Sequence, residues 1–455
     1  MNAPMIDPYA GLPEPTKADL DHIPGPPPAK IRALRTIKFL QDPLGTVQQM
    51  VATYGPVFRR QDFGGWGVTM VGADANELVL FNKDKIFSST LGWNPVLDQV
   101  FPRGLMLMDF EEHRTHRKTL SVAFKPAPMK HYLGELNAGI ARQLKSWEGK
   151  GTFKFYPAIK DLTLDLAATS FLGIPWGPEA NRINQAFVDM VLASVGIARK
   201  PYPFTQMRRG VKGREYLCQY FGAEIPKRRG TTGDDIFTQV CNATDDDGQL
   251  LSDQAIIDHM NFLMMAAHDT TTSAITSLVY FMGRHPEWQE QVRAEVDGVV
   301  ARHGGLTYEA LGELELTEMA FKEALRLIPP VPSVPRRALK SFEYGGYTIP
   351  AGASVGISPM VVHRQEEHWP DPLKFDPMRF TTQMSRDRHK YAWVPFGGGA
   401  HMCLGLHFAY MQVKAFMVAL LSTKRIELAP GYEGNFSMFP IPKPRDGLPV
   451  TLVSR

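Results

Sequence analysis

The stretch Phe396-Gly397-Gly398-Gly399-Ala400-His401-Met402-Cys403-Leu404-Gly405 puts one cysteine in a glycine-rich loop that opens directly onto an apolar segment. From Leu404 to Leu421 that segment is apolar nearly all round, which predicts a helix buried on every side with the rest of the chain packed around it. Cys403 is expected at the helix N-terminus, where unpaired N–H groups and the helix dipole favour an anion. A thiol titrates near pKa ~8.5 and ligates a metal only as the thiolate, so this placement suits an iron–thiolate site. Gly397, Gly398 and Gly399 allow a tight turn with positive φ and are expected to leave room for a flat macrocycle against backbone. The plain alternative is a buried cysteine packed as a small hydrophobe beside a turn.

Three further groups of residues bear on the choice. Glu323-Ala324-Leu325-Arg326 places an acid and a base three apart, hence on one helix face, just before Pro329-Pro330-Val331-Pro332 ends the helix. Ala266-Ala267-His268-Asp269-Thr270-Thr271 lies in a helical stretch from about Asp253 to Gly283, with Ser252 as its N-cap and a length of roughly 45 Å. Taken alone, its hydroxyls would bond back to the helix. Asp109-Phe110-Glu111-Glu112-His113-Arg114-Thr115-His116-Arg117 sets His113 and Arg117 four apart on a shared face.

The loop fits F-x-x-G-x-[HR]-x-C-x-G, and so resembles the haem-binding signature of the cytochrome P-450 haem-thiolate enzymes. The resemblance implies that Cys403 is the proximal ligand of haem b, with Phe396 and Gly405 in the binding loop and His401 donating to a propionate. Glu323 and Arg326 match the family's E-x-x-R, and Arg379, in Phe375-Asp376-Pro377-Met378-Arg379-Phe380, matches the arginine that completes a structural brace behind the cysteine loop. Asp269 and Thr270 match the oxygen-activating acid and alcohol, with Ala266 beside the haem and Ala267 replacing the usual glycine. An acid beside an alcohol is what delivery of protons to reduced dioxygen needs. His113, Arg117 and Arg336 fall at propionate-binding positions, and a buried dianion needs such partners; adjacent Arg337 leaves that last assignment open by one residue. The implied activity is a monooxygenase. It would hydroxylate or epoxidise an apolar small molecule, a terpenoid, steroid, fatty acyl or aromatic compound, with dioxygen and two electrons from a separate ferredoxin or flavodoxin and its reductase. A peroxygenase or isomerase, or a haem sensor, would share Cys403 but has less use for the acid–alcohol pair.

The implied fold is mainly α with small β-sheets, the single-domain triangular haem-thiolate fold over residues 30–455, preceded by an extended Pro-rich segment over 1–29. The local patterns agree with this. Pro56 to Val71 reads as a hairpin, residues 110–245 as helical, 314–327 as the Glu/Arg helix and 342–357 as short strands. Substrate is expected against Phe87 to Leu107, Met265-Ala266, Val331 to Val334 and Phe436 to Phe439, all largely apolar. With 44% hydrophobic residues the chain can fill a large core, and a formal charge of +3 gives no footprint for nucleic acid. Cys218, Cys241 and Cys403 form no disulfide framework. No signal peptide or membrane anchor is indicated, which predicts a cytoplasmic protein of the bacterial type. Arg114, Lys118 and Lys414 are expected to meet an acidic electron donor.

Overall fold

The central helix α3, Asp253–Arg284, organises the molecule. This is a computed structural model and describes residues 9, 11–28, 38–62, 65–196 and 199–455. The helix starts where the Ser252 side chain accepts the Ala255 N–H, carries Asp253 in its first turn and Arg284 in its last, and stops before Pro286 opens the next helix. Its residues are buried on every face between Ile256 and Val279 apart from a half-exposed patch over Met265–Ala267 and at Thr270. Four hydroxyls bond back one turn: Thr270 to Ala266 O, Thr272 to His268 O and Thr276 to Thr272 O at 2.7 Å, and Ser277 to Ser273 O at 2.9 Å. These side chains therefore satisfy themselves within a helix that has no water to offer them.

Four other helices fix the site. Helix α1 spans Phe110–Leu120, α2 Phe155–Leu172, α4 Glu315–Leu327 and α5 Leu406–Leu421. α2 and α4 both pack on α3, and α5 is buried nearly all round, as its apolar sequence requires. α4 obtains its N-terminal cap from elsewhere in the chain: Glu295 accepts the Leu316 and Thr317 N–H groups at 2.6 and 2.9 Å. The main core is shared by these helices and the two long antiparallel ones over Pro178–Ser194 and Gln206–Arg228.

Strands are few and short, as expected. The five-stranded sheet comprises β1 Val57–Asp62, β2 Gly65–Met70, β3 Phe87–Ser88, β4 Val334–Ala338 and β5 Ser354–Ile357, in the order β1-β2-β5-β4-β3. β1 and β2 form the predicted hairpin, Val57 opposite Met70, while its turn at residues 63 and 64 lies outside the described residues. Burial alternates along β4, so Arg336 points inward and Arg337 does not. In the N-terminal segment Leu20 and Ile23 are buried against this sheet and Pro24 O accepts the Arg59 N–H at 2.8 Å; the predicted boundary at residues 29 and 30 lies outside the described residues.

Candidate active site

Cys403 ends a tight loop held by backbone. Gly397 N–H donates to Val394 O at 3.0 Å, Met402 N–H to Gly399 O at 3.2 Å and Cys403 N–H to Phe396 O at 2.9 Å. Gly397 and Gly399 have φ of 72° and 59°. At Gly399 a Cβ would also lie 2.2 Å from Leu80 O, so the helix Ala73–Phe81 requires glycine there. At Gly398 the same atom would meet the Tyr391 ring at 2.9 Å. The room expected for a macrocycle at these two glycines is thus taken by the chain itself. A second expectation is also corrected: α5 begins at Leu406 with Gly405 as its cap, so Cys403 stands just outside the helix. The Gly405 N–H still lies near enough to its sulfur to favour the thiolate.

The thiol is accessible although protein surrounds it, as in a residue that lines an internal recess. Burial pushes the Cys403 thiol up; the Gly405 N–H and the Arg117 guanidinium oppose that. Arg117 does not stand alone. The His113 and His401 rings stack at 3.9 Å, and Arg336 is close enough to both to disfavour their protonation. Burial, then the charge of Arg117, lowers His113 to about 4; burial, then His113 and Arg336, lowers His401 to about 2. Arg337 senses Glu14 instead, so the structure brings Arg336 and not Arg337 to the cluster. Among the described residues none of these four groups has a carboxylate at ion-pair distance. Asp109 is near enough to favour the charge on His113 and Arg336, but its carboxylate is bonded to Tyr9, Ser88 and Ser89, so a largely buried field of donors beside one accessible thiol remains without an ion-paired anion and fits a dianionic group that takes a soft ligand.

Behind the loop, Glu323 and Arg326 are fully buried and doubly bonded, Nε to Oε2 at 2.7 Å and Nη2 to Oε1 at 2.8 Å. Arg326 also donates to His363 O, Pro372 O and Lys374 O at 2.9, 2.7 and 3.1 Å. Glu323 accepts the Asp376 N–H at 2.9 Å, and Arg379 Nε stands 3.4 Å away. His363 carries this network to the cysteine loop, because its Nε2 accepts the Val394 N–H at 3.0 Å. On α3, Asp269 is buried and meets Lys160 of α2 at 3.1 Å and His268 at 3.2 Å, while the Thr270 hydroxyl is turned to Ala266 O.

A profile of the cytochrome P450 family matches residues 24–445. The chain belongs to the cytochrome P450 family. A Mycobacterium tuberculosis relative named cytochrome P450 136 is 39% identical over 412 residues, 89% of this chain and 83% of that one. A taxane 10-beta-hydroxylase of Taxus cuspidata is 28% identical over 398 residues, 85% and 79% of the two chains. Among solved structures, retinoic acid-bound cyanobacterial CYP120A1 is 28% identical with a TM-score of 0.84 and covers 92% of this chain and 96% of its own. This P450 is therefore a haem monooxygenase that uses dioxygen and a redox partner.

Some site features had no sequence signal. His363, Lys160 and Glu295 act through contacts far apart in the chain. The expected partner surface needs correction at Lys414, which is buried and spent on Glu318 at 2.7 Å and Leu311 O at 2.9 Å. Arg114 is paired with Glu111 at 2.8 Å and Lys118 with Asp246. A cavity of about 720 Å³ is lined by loop residues Phe396 to Gly399 and Met402 but not Cys403, and also by Lys322, Lys390, Trp393 and Tyr410. No helix among the described residues is long and apolar enough to cross a membrane.

Proposed function

We propose that this P450 oxidises a bulky isoprenoid, with Cys403 holding the iron of haem b and with His113, Arg117, Arg336 and His401 holding its propionates. The observation that carries the cofactor assignment is the convergence of one accessible thiol with four donor groups, none of which has a carboxylate at ion-pair distance among the described residues. Phe396 and Gly405 shape the thiol's loop, and Ala266 presents a small side chain on the α3 face at Met265–Ala267. Bound haem supplies the one-electron and dioxygen chemistry. The chain's own residues supply position and protons. Glu323, Arg326 and Arg379 brace the loop through His363, so that the thiol is held without reorganisation. Asp269 takes up and releases a proton within α3, and the Thr270 hydroxyl, free to leave Ala266 O, passes it on.

The isoprenoid class rests on two supports. Trp93, Val96, Met106, Met265, Phe436 and Met438 keep half-buried apolar side chains in the segments expected around substrate. The relatives named above bind or oxidise a retinoid and a taxane, both isoprenoid. Electrons would come from an acidic ferredoxin or flavodoxin with its reductase, meeting the exposed Lys390 at the cavity beside the loop. The test is a spectral titration of haem-loaded protein with isoprenoids, fatty acids and steroids. Saturable displacement of water from iron by an isoprenoid, with a hydroxylated product, is the expected result; a response confined to fatty acids would contradict it.

A further inference from the structure

Asp109 occupies the N-cap position of α1 but does not cap it. An aspartate there would satisfy the first turn of its own helix. Its carboxylate turns elsewhere: Oδ1 accepts the Ser89 N–H at 2.7 Å, and Oδ2 accepts the Ser88 hydroxyl and the Tyr9 hydroxyl, each at 2.6 Å. The next residue, Phe110, opens α1 with φ of 50°, a region that non-glycine residues seldom occupy, so the backbone carries strain where the carboxylate is diverted. Asp109 thereby ties the N-terminal arm to the start of the helix Ser89–Leu97.

Both of those segments border the propionate cluster. A Cβ at Gly92 would come 2.6 Å from Arg336 Cα, so the helix Ser89–Leu97 lies directly on β4, and Ser88 pairs with Arg337 in the sheet. Arg336 is buried, and among the described residues its side chain makes one hydrogen bond, to Pro335 O at 2.8 Å. An acid near a buried arginine gains by pairing with it. Here the charge of Asp109 reaches Arg336 and His113, yet its oxygens are spent on Tyr9, Ser88 and Ser89. The arm that brings Tyr9 is firmly seated. Leu20 and Ile23 are buried, His22 Nε2 meets Thr348 O at 2.8 Å, and Pro13 O lies 1.7 Å from where a Cβ at Gly352 would stand.

We propose that Tyr9 is a positioning residue for the cofactor: with Ser88 and Ser89, its hydroxyl holds the Asp109 carboxylate off Arg336 and offsets part of its charge, which leaves Arg336 to a haem propionate and sets how readily the iron is reduced. At 2.6 Å the hydroxyl–carboxylate bond is of the strong, charge-assisted kind. Without it Oδ2 has one donor fewer, and more of the negative charge acts on Arg336 and on the iron beyond. A carboxylate left less compensated favours the ferric over the ferrous state, because the ferric site carries one more positive charge. The role of Tyr9 rests on the reading of Cys403 and its four donor groups as a haem site, but the contact itself can be followed in haem-free protein.

The variants are Tyr9→Phe, Asp109→Asn and the two combined, with Asp109→Ser in reserve should the asparagine variant fail to fold. In a spectroelectrochemical titration Tyr9→Phe should favour ferric iron about threefold, roughly 30 mV for a one-electron couple, while Asp109→Asn shifts the potential the opposite way. Adding Tyr9→Phe to Asp109→Asn should then change nothing. Loosened packing alone would move both single variants in one direction and persist in the double variant. Haem transfer to apomyoglobin should be about tenfold faster from Tyr9→Phe than from wild type. An unchanged potential in Tyr9→Phe, or a shift that survives in the Asp109→Asn background, overturns the proposal. In haem-free protein, Tyr9→Phe should speed deuterium exchange in a peptide covering Ser88 to Leu91, and unchanged exchange would show that the contact holds nothing in place. If wild type with haem gives no red-shifted carbon monoxide band, the cofactor reading fails, and the exchange result separates that failure from a failure of the Tyr9 contact.

Discussion

Two buried carboxylate–cation pairs sit on neighbouring helices and are built in opposite ways. Glu323 and Arg326 on α4 are fully buried, doubly bonded to each other and bonded to four further backbone groups. Asp269 on α3 and Lys160 on α2 meet at one unaligned contact, with the lysine partly in water. A charge removed from water repays its desolvation only when its hydrogen bonds are all made. The first pair meets that condition and is a structural part. The second falls short, which suits the proton transfer proposed for Asp269.

The largest expected effect is on the Glu323–Arg326 pair. Arg326→Ala leaves Glu323 buried and unpaired and should cost about 3–5 kcal/mol in unfolding free energy, read by urea titration, with haem retention lost in parallel. Arg326→Lys should rescue little, because one ammonium cannot replace five donors in a fork. If Arg326→Ala cost no more than about 1 kcal/mol, the contrast between the pairs would collapse.

Asp269→Asn is expected to cost only about 1–2 kcal/mol, since the ammonium left behind can turn to solvent. It should nonetheless slow product formation about 100-fold in single-turnover assays. Thr270→Ala comes next. Among the described residues its hydroxyl bonds only within α3, so stability should stay within about 0.5 kcal/mol, while product per electron falls about tenfold with the balance released as peroxide.

The smallest effect is a pH dependence. Asp269 has a folded pKa below its unfolded value of ~3.9, so its contribution to stability is complete above pH ~4 and is lost as pH falls through the folded value. The gap in urea midpoint between wild type and Asp269→Asn should hold from neutral pH to about 4 and narrow below it. A gap that widened on acidification would reverse the sign and remove Lys160 and His268 as the cause.

The parts of this site that repeat at short spacing were legible in sequence. Ser252 as a cap, the α3 span, the Glu323/Arg326 spacing and the Cys403 loop all depend on residues within a few positions of one another. The sequence could not reveal what each meets across the fold. Nothing near Asp269 points to Lys160, and nothing near Glu323 tells a fully buried pair from a surface one. Gly399 read as space for a ligand because glycine permits close approach without naming what approaches; the neighbour is Leu80. Lys414 read as a surface charge because lysine usually is one, whereas here Glu318 and Leu311 O hold it inside.

The reduced, carbon monoxide-bound absorption spectrum tests most directly whether Cys403 holds haem iron as the thiolate. Folded, haem-loaded wild type should give a strongly red-shifted Soret band that Cys403→Ser abolishes; an unshifted band in wild type, or a shifted one that survives the serine substitution, would contradict it.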